Sequence, residues 1–241
     1  MATFVKYLFP IFLLTFMESC KVIIPTSRAA VTMQQSVLTK EERKKLSPEL
    51  VLEQLKKGNE RFRNNNSTQF NHRAQIQASA SGQYPKAIVL SCIDSRVPVE
   101  DLLDQGLGDL FVTRVAGNIV NEDILGSMEF ACKVAGAKLI LVIGHEHCGA
   151  IKGAIDDVQL GNLTNLLARL KPAVDMCRDF AGEKKSTNDA YVQQVAENNV
   201  RFSINAIRQK SAVLKEMEDK GEIKIVGAYY SLTSGELVYL N

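Results

Sequence analysis

Short, continuous runs of apolar residues recur along the chain from residue 86 onward, and stretches with a helical pattern separate them. Apolar runs of about four to eight residues are typical of strands buried in a parallel sheet. The predicted strands are 87–92, 110–115, 138–144, 223–230 and 236–240. Strands that alternate with helices predict an α/β fold, a mainly parallel sheet flanked by helices. The Ser234-Gly235 turn predicts that the last strand is an antiparallel edge strand.

Helices are predicted before and between these strands. Ser47-Pro48-Glu49 has the pattern of a helix start, with Ser as the N-cap, Pro at the first helical position and an acid in the first turn. This helix should end at the polar break Asn64-Asn65-Asn66. The other predicted helical segments are the charged run 40–45, the beginning of 70–83, and the ranges 124–134, 162–180 and 188–219.

The amino end has the pattern of an export signal. Lys6 precedes a mostly apolar stretch, 7–17, whose length fits a signal peptide and is too short to span a bilayer. We interpret 1–20 as the signal peptide, 21–47 as a tether and amino-terminal helical arm, and 48–241 as the folded domain.

Ser19-Cys20 resembles a bacterial lipoprotein cleavage site, so Cys20 is a candidate lipid anchor. Cleavage near residues 27–29 without a lipid is one alternative, and a hydrophobic helix that packs on the body of the protein is another. Export predicts a periplasmic or lipid-anchored protein, whereas the packed helix is compatible with a cytoplasmic one.

Composition excludes several classes of protein. Hydrophobic residues make up 46% and charged residues 23% of the 241 residues, close to an average globular protein and unlike a disordered chain or a polytopic membrane protein. The formal charge is +2 and no Lys/Arg-rich block occurs, so nucleic acid is not expected as a partner. Five cysteines cannot all pair within one chain, which points to thiols with another task.

Two of the predicted strands end in polar clusters. Cys92-Ile93-Asp94-Ser95-Arg96 follows the first strand, and His145-Glu146-His147-Cys148-Gly149 follows the third. In a parallel α/β sheet, ligands bind beyond the carboxyl ends of the strands. Neighbouring strands would therefore bring the two clusters close together.

The combined clusters offer the ligands of a zinc site. Cys92, His145 and Cys148 provide two thiolates and an imidazole, a soft set of donors that suits zinc. Three protein ligands leave the fourth tetrahedral position open, as in a catalytic site. Asp94 is a candidate fourth ligand, but Arg96 could instead grip its carboxylate through two hydrogen bonds. Either cysteine alone would be interpreted as a small buried hydrophobe. The zinc prediction rests on two clusters with complementary ligands at the ends of two strands.

The remaining Cys, His and Glu residues have simpler interpretations. Cys132 and Cys177 lie in helical patterns and are expected to pack in the core. His147 adjoins the site, and a role as proton shuttle is a minor alternative for it. Glu146 is expected to be solvated or paired with a surface cation.

The paired motif Cys-Ile-Asp-Ser-Arg and Gly-His-x-x-Cys-Gly-Ala resembles the β-class carbonic anhydrases, and the match runs from about Ser47 to the carboxyl end. The resemblance implies one Zn²⁺ per subunit on Cys92, His145 and Cys148, with Asp94 either on the metal or held off it by Arg96. It also implies homodimers whose sites lie at the subunit interface, and dimers that often pair into tetramers.

The resemblance further assigns residues that contact substrate. Gln83, Phe111 and Gly149 match substrate-binding positions, and Phe130 replaces a Tyr that often contributes a hydrogen bond. The chain contains no Trp, whereas the bicarbonate-inhibited members carry one in their inhibitory site, so that form of control is not expected.

The implied activity is the reversible hydration of carbon dioxide to bicarbonate and a proton, by attack of zinc-bound hydroxide that Asp94 orients. One alternative is a carbon disulfide or carbonyl sulfide hydrolase on the same scaffold. Another is a non-catalytic zinc-binding protein, which would not need the Asp94–Arg96 pair. A nucleotide-binding protein is disfavoured because no glycine-rich phosphate-binding loop follows a predicted strand.

Overall fold

A five-stranded sheet forms the centre of the protein in the computed structural model, which describes residues 33–240. The strand order is β2-β1-β3-β4-β5; the first four strands are parallel and β5 pairs antiparallel with β4. The strands are β1 (Ala87–Ser91), β2 (Leu110–Arg114), β3 (Leu139–His145), β4 (Lys224–Tyr230) and β5 (Leu237–Leu240). The predicted fold class and all five predicted strands are confirmed.

Ten α-helices surround the sheet within residues 33–240. They are α1 (Lys40–Lys44), α2 (Pro48–Arg63), α3 (His72–Ser79), α4 (Val99–Leu102), α5 (Glu122–Glu129), α6 (Gly149–Ile155), α7 (Gly161–Ala168), α8 (Lys171–Asp175), α9 (Asp189–Lys210) and α10 (Ala212–Asp219). A 3-10 turn spans Ala116–Asn118, and a π-helical turn, Phe130–Val134, follows α5. Across these residues, no helix is both long enough and apolar enough to cross a bilayer. The predicted signal peptide and Cys20 lie outside the described residues.

The two longest predicted helices are each split in two. In α8 the second residue is Pro172, which lacks an N–H and therefore fits the first turn of a new helix better than the interior of an old one. Ser211 ends α9 in an extended conformation, and its hydroxyl accepts the Leu214 N–H to begin α10. A proline in one case and a capping serine in the other thus interrupt the predicted helices.

Capping also sets the boundaries of α2 and α5. The Ser47 hydroxyl accepts the Leu50 N–H as the sequence predicts. Asn121 accepts the Ile124 N–H and begins α5 two residues before the predicted start. The short helix α4 after Pro98 was not predicted, because four residues carry too little periodicity.

Side chains alternate between the two faces of β1 and β3, and both strands are buried along their whole length. Ile88, Leu90 and their neighbours on β3 pack against α5, α9 and α10, whereas Ala87 and Val89 pack on the side of α2 and α4. Burying one such aliphatic side chain contributes about 1.5–3 kcal/mol. Gly227 lets α9 approach closely, since a Cβ there would lie 2.4 Å from Val200 Cγ1.

A third apolar cluster lies beyond the carboxyl ends of the strands. It packs α6, α7 and α8 against α9 and includes Cys92, Cys148 and Cys177. Cys132 belongs to the cluster on the α9–α10 face of the sheet. The predicted core positions of Cys132 and Cys177 are confirmed, and the third cluster forms the floor of the site that the other two cysteines share.

Candidate metal centre

The three predicted ligands come together at the carboxyl ends of β1 and β3. Cys92 directly follows β1, His145 is the last residue of β3, and Cys148 is the N-cap of α6. Because β1 and β3 pair in parallel with Ser91 opposite Ile143, Cys92 leaves β1 only one residue short of the level of His145. The two Sγ atoms and one ring nitrogen all lie within 4.8 Å of one another, and all three residues are buried. The predicted proximity of the two clusters is confirmed.

The orientation of the His145 ring leaves one nitrogen free for a metal. Nδ1 lies 2.9 Å from the carbonyl oxygen of Glu146. A carbonyl only accepts, so Nδ1 donates the proton and Nε2 carries a lone pair. Nε2 is buried and has no hydrogen-bond partner among the described residues. A buried polar atom without a partner costs about 1–3 kcal/mol, so this lone pair beside two thiols fits a soft metal ion such as zinc.

The two thiols share one proton. The hydrogen bond from Cys148 is the main reason that the pKa of Cys92 falls to about 4, and the Gly117 N–H supports the same thiolate. The Cys148 pKa is raised well above its ordinary value, first by its hydrogen bond to Cys92 and then by burial. Cys92 is therefore a thiolate and Cys148 its thiol donor until a cation replaces the proton.

The 3-10 turn Ala116–Asn118 supplies a backbone donor to the site. The Gly117 N–H points at Cys92 Sγ with an N···S distance of 3.3 Å. Gly117 has a φ of +68°, and a Cβ there would lie 2.9 Å from Leu170 Cδ1. Both constraints favour glycine, because a side chain would face strain and a close contact.

Asp94 and Arg96 form a tight ion pair at the edge of the cluster. Asp94 Oδ1 accepts the Arg96 Nε–H at 2.9 Å and the Arg96 backbone N–H at 2.9 Å, and Oδ2 accepts Nη2–H at 2.8 Å. The hydrogen bond from the guanidinium holds the pKa of the Asp94 carboxyl well below its usual range. Oδ2 lies 3.9 Å from His145 Nε2. Of the two predicted alternatives for Asp94, this structure contains the pair with Arg96.

Arg114 braces the loop that contains Cys92 and Asp94, a role that was not predicted from the sequence. At the end of β2, its guanidinium donates from Nε to the Cys92 carbonyl at 2.9 Å and from Nη2 to the Asp94 carbonyl. A contact from a side chain to backbone carbonyls leaves no residue pattern; only the register that sets Ser91 opposite Arg114 indicates it.

Glu146 and His147, the two residues between His145 and Cys148, make different contacts. Glu146 is partly exposed and its Oε1 lies 3.9 Å from His147 Nε2, but the expectation that it is solvated or paired with a surface cation omits the contacts of its other oxygen. Its Oε2 accepts hydrogen bonds from Ser231 and Thr233, in the turn between β4 and β5. His147 adopts a φ of +52°, and its Nδ1 lies 3.1 Å from Asp189 Oδ1. A role of His147 in proton transfer stays a prediction.

The predicted substrate-binding residues are divided between the two ends of the sheet. Gly149 adjoins Cys148 and is exposed. Gln83 is exposed in the segment before β1, and Phe111 lies opposite Ile88, about 13 Å along the strand from Cys92. Phe111 packs edge-on against Phe130, which is 51% exposed, and both line an open groove of about 720 Å³. Gln83 and Phe111 are therefore remote from the metal ligands of their own chain.

Known proteins match most of this chain. The sequence model of the carbonic anhydrase family matches residues 87–237. Carbonic anhydrase 2 of Mycobacterium tuberculosis is 33% identical over 201 residues, which cover 80% of this chain and 92% of that protein. A carbonic anhydrase of Mycolicibacterium smegmatis is 32% identical over 197 residues, 79% of this chain and 92% of that protein.

Solved structures with the same fold include a β-carbonic anhydrase of Aspergillus fumigatus, with a TM-score of 0.63 and 29% identity over 70% of this chain and 82% of that one. A tetrameric β-carbonic anhydrase of Sordaria macrospora has a TM-score of 0.62 and 26% identity over 67% of this chain and 83% of that one. The matched segment contains the ligand cluster, the Asp94–Arg96 pair and the four parallel strands. The chain belongs to the β-class carbonic anhydrase family.

Proposed function

We propose that this protein catalyses the reversible hydration of carbon dioxide to bicarbonate and a proton at a zinc ion held by Cys92, His145 and Cys148. The observation that carries the proposal is the unpartnered, buried His145 Nε2, which faces two thiols that share one proton. The relatives named carbonic anhydrase support the same reaction. Zinc in such a site acts as a Lewis acid that lowers the pKa of a coordinated water.

Asp94 and Arg96 prepare the reacting water. Arg96 holds the Asp94 carboxylate deprotonated, since three hydrogen bonds favour its charged form. Oδ2 faces the ligand cluster and can accept a hydrogen bond from the water, which orients a lone pair toward the carbon atom of the substrate. Arg96 also keeps the carboxylate from taking the fourth position. Arg114 holds the backbone of this loop in place.

We propose that the substrate pocket is completed by a second subunit. Gln83 and Phe111 are too far from Cys92 in the same chain to contact a substrate there, and the groove at Phe111 and Phe130 is open to a partner. The family resemblance implies sites at a dimer interface, and the Sordaria relative is tetrameric. Light scattering should give a dimer or a tetramer, and a stable monomer with full activity would contradict this arrangement.

The test of the reaction combines metal analysis with stopped-flow carbon dioxide hydration on the purified full chain. One zinc per subunit and rapid hydration are expected. Carbon disulfide and carbonyl sulfide are offered in parallel, with detection of hydrogen sulfide. Stoichiometric zinc with hydrogen sulfide release and no hydration would replace the proposed reaction with the hydrolase alternative.

We also propose that the protein is exported and that Cys20 carries a lipid. The support is the leader pattern of residues 7–20. Mass spectrometry of the mature amino end decides between a lipidated Cys20, a cut near residues 27–29 and an intact leader.

A further inference from the structure

One hydrogen bond sets the orientation of the His145 ring and therefore the direction of its Nε2. Its Nδ1–H donates to the carbonyl of the next residue, Glu146, at 2.9 Å. In metal sites the partner of the second ring nitrogen sets the tautomer and the direction of the ring. Whatever fixes the peptide after His145 therefore fixes where Nε2 points.

Glu146 is fixed both through its backbone and through its side chain. Its N–H donates to the Tyr230 carbonyl at 2.9 Å, one step beyond the paired ends of β3 and β4. Its Oε2 accepts the Thr233 N–H at 3.1 Å, the Thr233 hydroxyl at 3.1 Å and the Ser231 hydroxyl at 3.2 Å. The carboxylate thus ties the ligand segment to the turn that joins β4 and β5.

That turn is itself well organised. The Ser231 hydroxyl accepts the backbone N–H groups of Thr233 and Ser234, each at 3.3 Å. The Ser231 N–H donates to the Glu236 carbonyl, and the Gly235 N–H donates to the Ser231 carbonyl. Because these hydrogen bonds hold the turn in place, the Glu146 carboxylate that is bound to the turn is held in place as well.

The segment that Glu146 holds needs support. His147, the next residue, adopts a left-handed conformation with a φ of +52°, which costs a non-glycine residue free energy. A non-glycine residue keeps such a conformation only where the surrounding structure holds it. Cys148 is held by α6 on one side, and Glu146 is held by the turn on the other.

We propose that the Glu146 carboxylate is a positioning group for the metal: by tying residues 145 and 146 to the β4–β5 turn, it aims His145 Nε2 at the space between Cys92 and Cys148. This inference rests on the proposed metal site. Glu146 acts through His145 and the backbone and does not touch the substrate.

The chain offers a matched control in the loop that follows α4. The Asp104 carboxylate accepts the Thr68 N–H and the Thr68 hydroxyl, each at 2.8 Å, and pairs with Arg61. It makes the same kind of carboxylate–threonine contact without a metal ligand nearby. Asp104 has a φ of +50°, which Asn also tolerates, so Asp104→Asn removes the charge without changing the backbone preference.

The experiment measures metal binding in the full chain rather than activity. Zinc affinity is measured by chelator competition, and the absorption spectrum of the cobalt(II) form reports the geometry of the ligands. Glu146→Ala is expected to weaken zinc binding by about 10- to 100-fold and to change the cobalt spectrum. Glu146→Gln, which retains an acceptor oxygen, should recover most of the affinity. Asp104→Asn should lower the melting temperature of the metal-free protein and leave zinc affinity and the cobalt spectrum unchanged.

Native affinity and spectrum in Glu146→Ala would overturn the proposal, as would an equal loss of affinity in Asp104→Asn. If Glu146→Ala does not fold, Thr233→Val removes one donor to the carboxylate and should weaken zinc binding by about two- to fivefold; unchanged affinity in that variant would also overturn it. A native chain that binds no zinc would instead refute the proposed function, so the two failures are distinguishable.

Discussion

Four buried cysteines within residues 33–240 occupy two kinds of environment. Cys92 and Cys148 lie at the carboxyl ends of the strands, and Cys132 and Cys177 lie among helices; all four are at most 4% exposed. The Cys92 pKa falls to about 4, whereas burial raises that of Cys132 to about 12. Burial alone therefore does not decide the chemistry of a thiol. That chemistry is decided by the hydrogen-bond donors that surround the thiol at the end of a strand.

The physical difference lies in which groups face the sulfur. Cys92 accepts hydrogen bonds from the Cys148 thiol and the Gly117 N–H beside the His145 ring, and each stabilises a thiolate. Cys132 lies in the π-helical turn after α5 and packs in the apolar cluster under α10, where desolvation alone acts on it. Cys177 is intermediate, with a pKa raised by burial and an Asn198 N–H donor to its sulfur at 3.1 Å.

Replacing one thiol from each environment tests the comparison most strongly. Cys148→Ser is expected to lose zinc and to lower hydration activity by about three orders of magnitude, because a neutral hydroxyl is a poor substitute for a thiolate. Cys177→Ser is the matched control and should keep both, since its hydroxyl can still accept from Asn198. Metal analysis and stopped-flow hydration measure the outcome. Full activity with stoichiometric zinc in Cys148→Ser would refute the ligand assignment.

The second prediction separates metal binding from orientation of the water. Asp94→Ala should retain zinc but lose about 100-fold or more in hydration rate, because no carboxylate then accepts a hydrogen bond from the reacting water. Asp101→Ala, an exposed position on α4, should retain both. Unchanged hydration at neutral pH in Asp94→Ala would remove Asp94 from the mechanism.

The shared proton of Cys92 and Cys148 can be counted directly. At pH 8, zinc binding should release about one proton from the two thiols, since Cys92 is already a thiolate and Cys148 is protonated. Calorimetry in buffers of different ionisation enthalpy measures this number. As the pH falls through about 4, Cys92 takes up a proton as well, and zinc affinity should fall further. Release of two thiol protons at pH 8 would contradict the lowered pKa of Cys92.

The smallest effect concerns the core thiol Cys132. Its folded pKa is raised to about 12, so above its ordinary pKa the unfolded chain ionises while the folded chain stays protonated. The free energy of unfolding should therefore fall by about 1.4 kcal/mol per pH unit from this residue alone, once the pH exceeds about 9. Denaturant unfolding of the native protein and Cys132→Ala at pH 8, 9 and 10 should show a steeper decline in the native protein. Parallel declines would refute the raised pKa.

Much of the fold and of the ligand set is predictable because the signals are local. The apolar runs of β1 and β3 identify buried strands, and the polar residues that follow them mark the end where ligands bind. Helix breaks were harder to predict, because Ser211 caps a new helix within an unbroken apolar periodicity. The contacts of Glu146 Oε2 were not predicted, because its partners, Ser231 and Thr233, are about 85 residues away along the chain.

The sequence by itself determined the α/β class, the Cys92–His145–Cys148 donor set and the Asp94–Arg96 motif, since residue type and short spacing suffice for these. Only the tertiary structure decided that Asp94 pairs with Arg96, that Arg114 and Glu146 brace the site, and that Gln83 and Phe111 lie far from their own metal ligands. These features depend on strand register and on contacts between distant segments. Register and such contacts arise only when the whole sheet forms, so no short stretch of sequence encodes them.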